Sequence, residues 1–199
     1  MFTGLINALG KIEHITPLGK GLDVHINAPT AFINDIQIGD SINVNGVCST
    51  AIATTPTTFR VQYLEETLNK TTMASLKVGA PVNLEPCLTL QTKLGGHLVS
   101  GHVDTTGRIG ELTNDNGWAV IQVSFDSTFA PFCIQKGSIA IDGISLTIVD
   151  LSQNHFSCHL IPHTQEQTNL HAKTVGDYVN LEFDQVGKYL HRFITLKET

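Results

Sequence analysis

The chain contains an internal repeat with a period of 97 residues, which limits the folds that it can adopt. The stretch 41–50 (SINVNGVCST) recurs as 138–147 (SIAIDGISLT), and 82–85 (VNLE) recurs in identical form as 179–182. No gap is needed to keep the two copies in register. We therefore predict two copies of one structural unit, each of about 90 residues and able to bury a modest core.

The charge and the cysteine pattern exclude several classes of protein. A formal net charge of −6 over 199 residues argues against nucleic-acid binding, which normally needs a basic surface. No apolar run is long enough to span a membrane, and the first ten residues lack the pattern of a signal peptide. The four cysteines show no metal-binding spacing, so we expect reduced thiols in a cytoplasmic protein.

Both copies show the pattern of short antiparallel strands. Apolar and polar residues alternate, or strand-forming residues cluster, in segments 22–26, 41–44, 59–64 and 82–85 and at the matching positions of the second copy. About six strands per copy, separated by regular turns, predict a small barrel or sandwich. The sequence NDNG at 114–117 predicts a tight hairpin turn in the second copy.

The C-terminal tail has no counterpart in the first copy. Val186, Tyr189, Leu190, Phe193 and Leu196 recur at helical spacing, which predicts an amphipathic helix. Since no further repeat remains to cover this apolar stripe, we expect it to pack on a neighbouring subunit. The predicted domains are a first barrel over 1–96 with its linker at 88–96, a second barrel over 97–185, and an oligomerisation helix over 186–199.

Polar groups recur at matched positions of the two copies, which indicates a binding role. Cys48 is matched by Ser145, so both copies place a small group with a hydrogen-bonding atom there. A small buried hydrophobe is the alternative role of the cysteine. Thr50 and Thr147 follow two residues later on the same strand face, as pocket walls or as ordinary strand residues.

Two further residues are candidates for chemistry. His102 lies between glycine-containing turns and is matched by Leu5, so the repeated fold does not require a histidine at this point. Asp184 ends the last predicted strand, where it is either a helix N-cap or a site residue.

No cofactor cradle is predicted, because the sequence contains neither a P-loop nor a GxGxxG motif. His155, His159 and His163 stand four residues apart, as metal ligands on a helix would. Pro162 and the strand-like residues between them argue against a helix there, so we predict no metal site.

Several motifs together resemble the riboflavin synthase family. They are MFTGL (1–5), NGVC (45–48), GGHLVSGH (95–102), DGISLT (142–147) and LIPHT (160–164). The resemblance covers the whole chain, including the repeat and the tail. It implies an all-β fold of two tandem, similar six-stranded antiparallel Greek-key barrels plus a C-terminal α-helix, and a homotrimer held largely by that helix.

The resemblance also implies the reaction, which is the last step of riboflavin biosynthesis. One molecule of 6,7-dimethyl-8-ribityllumazine gives a four-carbon unit to a second, which yields riboflavin and 5-amino-6-(ribitylamino)uracil. Two copies of one binding unit suit two copies of one substrate, because holding both in orientation removes much of the entropic cost of their encounter. No cofactor or metal is implied, and an association with lumazine synthase is left open.

The resemblance assigns residues to a site in each copy. Those nearest the chemistry are Cys48, His102, Ser145, Thr147 and Asp184. Substrate-binding residues of the first copy are Gly4, Leu5, Ile6, Ser41, Cys48, Ser49, Thr50, Gln62, Tyr63, Leu64, Glu65, Glu66 and Thr67. Those of the second are Gly101, His102, Val103, Lys136, Ser145, Leu146, Thr147, Leu160, Ile161, Pro162, His163, Thr164 and Gln165. His102 suits proton transfer near neutral pH, while Ser145 and Thr147 can hold a water or hydroxide.

One departure from the family and one alternative function stay open. The family usually has leucine where this chain has Ser49. Strand alternation predicts that Ser49 faces away from Cys48, so that the site survives and first-barrel packing is affected. The alternative function is a non-catalytic lumazine- or flavin-binding antenna protein on the same fold, of the kind found in bioluminescent bacteria. The presence of Cys48, His102, Ser145 and Thr147 together weighs against it.

Overall fold

The computed structural model of the protein describes residues 1–115 and 118–197, and its strands follow the two copies of the repeat. In the first copy they are β1 (Ala8–Leu18), β2 (Gly21–Asn27), β3 (Ser41–Val44), β4 (Val47–Thr50), β5 (Ala53–Thr54), β6 (Thr58–Tyr63) and β7 (Pro81–Pro86). In the second they are β8 (Thr105–Asp115), β9 (Trp118–Ser124), β10 (Ser138–Ile141), β11 (Ile144–Leu151), β12 (His155–Leu160) and β13 (Tyr178–Phe183). The α-helices of the described residues are α1 (Thr30–Asn34), α2 (Glu65–Lys70), α3 (Pro162–Glu166) and α4 (Gln185–Lys197).

The two sheets share one strand order, which confirms the all-β fold of two tandem barrels. The second sheet runs β10-β11-β12-β9-β8-β13 and closes, because β13 also pairs with β10. The first runs β4-β3-β7-β1-β2-β6-β5. Its end strands β4 and β5 are separated in sequence only by Ala51 and Ile52, and together they take the place of β11. The hairpin turn predicted at 114–117 includes residues 116 and 117, outside the described residues; β8 and β9 beside it pair antiparallel.

Alternation along the last strand of each barrel divides its residues between two buried faces. Val82 and Leu84 in β7 are fully buried in the first barrel core, and Val179 and Leu181 in β13 are fully buried in the second. Burying each such side chain stabilises the fold by about 1.5–3 kcal/mol. The asparagine and glutamate of the same repeated motif are also buried, and they face away from the core because successive side chains alternate.

The two asparagines of that motif hold the barrels together. Asn83 Nδ2 donates to the carbonyl oxygen of Asp142 at 2.9 Å, and Asn180 Nδ2 donates to the carbonyl oxygen of Asn45 at 2.7 Å. Both partners in the second bond are repeat counterparts of those in the first, so a local twofold axis relates the two bonds. Since a buried donor left unpaired costs about 1–3 kcal/mol, these bonds fix how the barrels meet.

The two glutamates of the motif hold the chain that precedes each barrel. We call these preceding residues, 1–6 and 98–103, the first and second lead segments. Glu85 accepts hydrogen bonds from the backbone N–H and the hydroxyl of Thr3 at 2.7 and 2.6 Å. Its counterpart Glu182 accepts the matching bonds from the second lead segment at 2.6 and 2.7 Å. Each glutamate therefore anchors the lead segment of its own copy.

The predicted C-terminal helix is present as α4, with an exposed apolar face. Val186, Leu190, Phe193 and Ile194 are each more than half exposed. On its other side α4 rests on the second barrel, where the ring of His191 meets the ring of Phe132 edge-on at 5.3 Å. Within residues 1–115 and 118–197, the chain thus leaves this apolar face largely exposed. Among the described helices, none is both long and apolar enough to cross a membrane.

Candidate functional site

The two lead segments cross each other between the barrels. Phe2 and Val99 form an isolated antiparallel bridge, with Phe2 N donating to Val99 O at 2.7 Å and Val99 N donating to Phe2 O at 3.0 Å. The two residues are repeat counterparts, so the local twofold axis passes through this bridge. Both side chains are fully buried, which fixes the crossing point.

After the crossing, each lead segment runs onto the barrel of the other copy. Ser145 N donates to Gly4 O at 2.8 Å, and Cys48 N donates to Gly101 O at 2.8 Å. The two bonds are again related by the repeat. Each candidate site is therefore built from the β-strand of one copy and the lead segment of the other.

This exchange corrects the expected grouping of site residues. The family resemblance assigned residues 4–6 to the first-barrel site and residues 101–103 to the second. In the structure, Ile6 packs against the core of the second barrel and Val103 against that of the first. The repeat register shows which copy a segment belongs to, but a segment anchored at the interface can continue across it to the opposite barrel.

Glycine permits the close approach of each lead segment to its strand. Gly4 and Gly101 have φ angles of 77° and 79°, a conformation that disfavours other residues. A Cβ added to Gly4 would lie 2.6 Å from Ser145 Cβ, and one added to Gly101 would lie 2.7 Å from Cys48 Cβ. These glycines therefore let the backbone of each lead segment contact Ser145 or Cys48, the matched pair identified from the repeat.

The first-barrel site combines β4, the end of β6 and the second lead segment. Cys48 is half-buried and Thr50 is exposed, both on the outer face of β4. Gln62 on β6 is exposed, and its Nε2 donates to Asp23 Oδ2 at 2.8 Å. His102, the neighbour of the residue bonded to β4, is exposed. The exposed or half-buried residues at the start of α2 complete the predicted set: Leu64, Glu65, Glu66 and Thr67.

Ser49 and Tyr63 face the barrel core. Their exposed fractions are 2% and 3%, and their hydroxyl oxygens lie 3.0 Å apart. Ser49 Oγ also donates to Val47 O at 3.0 Å, which leaves the Tyr63 hydroxyl to donate to Ser49. Burial raises the pKa of the Tyr63 phenol, so the phenol stays protonated. The prediction that Ser49 faces away from Cys48 is confirmed.

The second barrel has an apolar pair at the matching positions. Leu146 and Leu160, the counterparts of Ser49 and Tyr63, are 9% and 1% exposed and belong to the second core. All four were predicted to bind substrate. Because their side chains lie in the cores, only their backbone atoms are placed to meet a ligand.

The second-barrel site contains a hydrogen-bonded pair of serine and histidine. Ser145 Oγ lies 2.7 Å from His97 Nδ1, and His97 is 9% exposed. Burial lowers the pKa of His97, while the charge of Asp184 opposes this shift. Thr147 is exposed two residues further along β11. The site thus offers a neutral imidazole, a hydroxyl bonded to it and a second hydroxyl nearby.

The sequence analysis missed His97. Its repeat counterpart would precede Met1, so the comparison of copies gave no information about this position. A signal was present in the motif GGHLVSGH, where His102 was selected and His97 was not. The adjacent Gly96 also marks the contact, because a Cβ there would lie 2.8 Å from Ser145 Cβ.

Asp184 fills the capping role that the sequence left open, and its role as a site residue stays a prediction. Its Oδ1 accepts a hydrogen bond from Val186 N at 3.0 Å, which makes it the N-cap of α4. Its charge also acts on the His97 imidazole. Asp184 therefore connects the start of α4 to the second-barrel site.

The other predicted residues lie on a turn, at the start of β3, in the first lead segment and around the start of α3. Lys136 is exposed at a turn with φ of 65°, and Ser41 is half-buried at the start of β3, opposite Thr50. Leu5 is 48% exposed. At and before α3, exposed Ile161, Pro162 and His163 precede half-buried Thr164 and Gln165.

Comparisons with known proteins find relatives over the whole chain. A family model described as the lumazine binding domain matches residues 3–86 and again residues 100–184. The riboflavin synthase of Actinobacillus pleuropneumoniae is 43% identical over 197 residues, which is 99% of this chain and 91% of that protein. The riboflavin synthase of Mycobacterium tuberculosis is 39% identical over 198 residues, 98% of each chain. That of Bacillus subtilis is 38% identical over 194 residues, 98% of this chain and 90% of that protein.

Solved structures of LumP share the fold. LumP complexed with riboflavin superposes with a TM-score of 0.87 over 92% of this chain and 99% of that chain, at 22% identity. LumP complexed with 6,7-dimethyl-8-(1'-D-ribityl) lumazine gives a TM-score of 0.84 at 21% identity, with the same coverage. At these identities the likeness establishes the fold alone.

Proposed function

Because the chain belongs to the lumazine-binding domain family, and within it to the riboflavin synthases, we propose that its two sites each bind one 6,7-dimethyl-8-ribityllumazine. One bound molecule gives four carbons to the other, which becomes riboflavin. The donor leaves as 5-amino-6-(ribitylamino)uracil. The atoms of two substrates equal those of the two products, so the reaction needs no oxidant or co-reactant, and the enzyme is a transferase.

The matched construction of the two sites supports this proposal above all. Cys48 and Ser145 occupy equivalent strand positions, and each donates its backbone N–H to a carbonyl oxygen of the other copy's lead segment at 2.8 Å. A reaction between two copies of one molecule needs two binding units of one kind. Orientation of both reactants in fixed units contributes up to about 7–11 kcal/mol to lowering the barrier.

The differences between the sites suit two different chemical tasks. The transfer needs a proton taken from the C7 methyl of one lumazine and a nucleophile added at C7 of the other. His102, exposed on the second lead segment, is suited to move the proton because an imidazole can both accept and donate one. The Ser145–His97 pair is suited to the nucleophilic side, since a neutral imidazole can take a proton from a hydroxyl or a water.

Turnover of the lumazine tests the proposal. Purified protein is incubated with 6,7-dimethyl-8-ribityllumazine, and both products are quantified by chromatography. We expect one riboflavin and one pyrimidine product for every two lumazines consumed. The variant His102→Gln with Ser145→Ala, purified in the same way, shows whether a host enzyme contributes. Tight binding of the lumazine without turnover would instead support the antenna-type binding protein.

Assembly and location are part of the same proposal. We propose a cytoplasmic homotrimer, with the exposed apolar face of α4 between subunits, and strand connections of the Greek-key type. Residues 1–96, 97–185 and 186–199 are the proposed functional divisions, with residues 1–6 serving the second barrel. An association with lumazine synthase stays a prediction.

A further inference from the structure

An ion pair ties α4 to the end of the second lead segment. Lys188 Nζ lies 2.6 Å from Asp104 Oδ2 and 2.8 Å from Asp104 Oδ1. The two side chains are 26% and 18% exposed, so the pair is largely shielded from solvent. Asp104 follows the second lead segment directly, two residues after His102. We call this ion pair the clamp.

The backbone holds Asp104 from a second direction. Asp104 Oδ2 accepts a hydrogen bond from Phe183 N at 2.9 Å, and Asp104 N donates to Leu181 O at 2.9 Å. Charge-assisted bonds to a partly buried carboxylate are among the strong contacts of proteins. The clamp and β13 together therefore determine where the second lead segment joins the second barrel.

Among the residues that the structure describes, the first lead segment has no equivalent clamp. The repeat counterpart of Asp104 is Asn7, which is exposed, and the chain after β7 continues into the linker instead of a helix. The counterpart of His102 is Leu5. The clamped segment is therefore the one that carries the histidine.

Both residues of the clamp also line a cleft beside His102. This cleft, of about 440 Å³, lies between α4 and the second lead segment, and its walls include His102, Val103, Lys188, Tyr189 and Arg192. A shift of α4 would therefore move the side of the cleft that lies next to His102.

We propose that Lys188 is a positioning residue for the synthase reaction: through Asp104 it fixes the second lead segment so that His102 meets substrate in the first-barrel site. This inference rests on the proposed function. α4 thereby serves the chemistry within its own chain, separately from any contact of its apolar face with another subunit. Because a displacement of about 1 Å can cost about 100-fold in rate, we expect loss of the clamp to lower kcat about 10–100-fold.

Substitutions of Lys188 test the proposal in steady-state assays with the lumazine. Lys188→Met keeps the apolar stem and removes the charge; it should lower kcat while KM changes less than about threefold. Lys188→Arg should restore most of the turnover, and Asp104→Asn should reproduce the loss. Lys11→Met, which removes an exposed lysine of β1, is the matched control and should behave as the unmodified protein. If Lys188→Met does not fold, Asp104→Asn and Lys188→Arg still decide the question.

Comparing the effect of Lys188→Met in the unmodified protein and in the His102→Gln variant distinguishes a positioning role of Lys188 from its other roles. If Lys188 acts through the histidine, Lys188→Met should cause little further loss of kcat in that background. An equal fold-loss in both backgrounds, an unchanged kcat, or a changed oligomeric mass by light scattering would each overturn the proposal. Absence of turnover in the unmodified protein would reject the proposed function itself. Turnover there with an unaffected Lys188→Met would reject the positioning role alone.

Discussion

The bonded hydroxyls of Ser49 and Tyr63 stand where the second barrel has two core leucines, Leu146 and Leu160. A single hydroxyl in an apolar core is costly because it loses its bonds to water. Two hydroxyls that bond each other avoid most of that cost. Ser49, which departs from the family pattern, is thus accommodated in the core because the hydroxyl of Tyr63 bonds to it.

Removing one member of this pair should destabilise the protein unequally. Ser49→Ala leaves the buried Tyr63 hydroxyl without an acceptor and should cost about 1–3 kcal/mol, whereas Tyr63→Phe should cost about 0.5–1.5 kcal/mol because Ser49 keeps its bond to Val47. Urea unfolding measures both. The double change to leucine, which copies the second barrel, should be more stable than Ser49→Ala. A Tyr63→Phe variant less stable than Ser49→Ala would contradict this account.

The buried His97 should make stability depend on pH. Since burial lowers the pKa of His97, the unfolded chain binds a proton at higher pH than the folded protein does. The contribution is complete above the unfolded pKa of about 6.5 and is lost as the pH falls from there through the folded pKa. Between about pH 7.5 and 5.5 the unmodified protein should therefore lose more unfolding free energy than His97→Asn. If the unfolding free energies of the two proteins, measured by denaturant titration, change with pH in parallel, His97 does not contribute to the pH dependence of stability.

At the residue scale, the sequence could predict site positions that have a counterpart in the other copy of the repeat. The match of Cys48 with Ser145 drew attention to both strands, and the structure places both against a lead segment. His97 escaped because it has no counterpart in the first copy. Its burial and its bond to Ser145 arise from the crossing of two distant segments, which no local pattern encodes.

At the scale of elements, the first lead segment combines a structural and a functional position. Its Phe2 is fully buried at the crossing, Thr3 supplies two bonds to Glu85, and Gly4 meets the second-barrel site. The segment is short, yet it contacts both barrels.

Deletion of Met1–Thr3 should therefore abolish most of the activity. The deletion leaves the Glu85 carboxylate without the two bonds from Thr3 and opens a cavity at Phe2, so unfolding free energy should fall by about 3–5 kcal/mol. Turnover and urea unfolding are the measurements. Thr3→Ser, which keeps the hydroxyl, serves as the control. A deletion variant that folds and turns over at the normal rate would show that the segment is no part of the site.

The apolar face of α4 gives a second prediction at this scale. Leu190→Glu with Phe193→Glu places charges on the exposed face while leaving Lys188 in place. Because charged groups are costly to bury, we expect this variant to yield monomers in light scattering. Gln185→Glu, which adds a charge at the start of the helix, is the control. A trimer that survives both glutamates would place the main subunit contact elsewhere.

The strands and α4 could be predicted because their patterns are local. Period-two alternation identified the strands, and helical spacing of apolar residues identified α4, which begins at Gln185, within one residue of the predicted start. The exchange of lead segments could not be predicted in this way, since Ile6 and Val103 have the same pattern whichever barrel they cover.

At the scale of the whole molecule, the question is which two sites react together. The family resemblance implies that the first barrel of one subunit faces the second barrel of its neighbour. Because Gly101, next to His102, accepts a hydrogen bond from Cys48, we assign His102 to the first-barrel site and choose substitutions on the strand of each site. Cys48→Ala with Thr50→Ala impairs the first site, and Ser145→Ala with Thr147→Ala impairs the second.

Mixing these two variants tests the arrangement. Neither alone should be active, and co-refolded mixtures should regain turnover, because some interfaces then pair two intact sites. Mass spectrometry establishes that mixed oligomers form, and each variant refolded alone is the control. Mixed oligomers without activity would show that the two reacting sites lie within one chain.

The exchange of lead segments also bears on how such a chain could arise. Several contacts across the local axis are made twice, by pairs of residues 97 positions apart. Two separate polypeptides of one unit each could make the same contacts, each lending its first six residues to the other, as in an isologous dimer with swapped ends. Gene duplication and fusion of such a dimer would require only a connection between Pro86 and His97. Once joined, the two halves no longer had to be identical. The second half alone could then acquire His97, His102 and the terminal helix. In a symmetric dimer, each of these features would have been present twice.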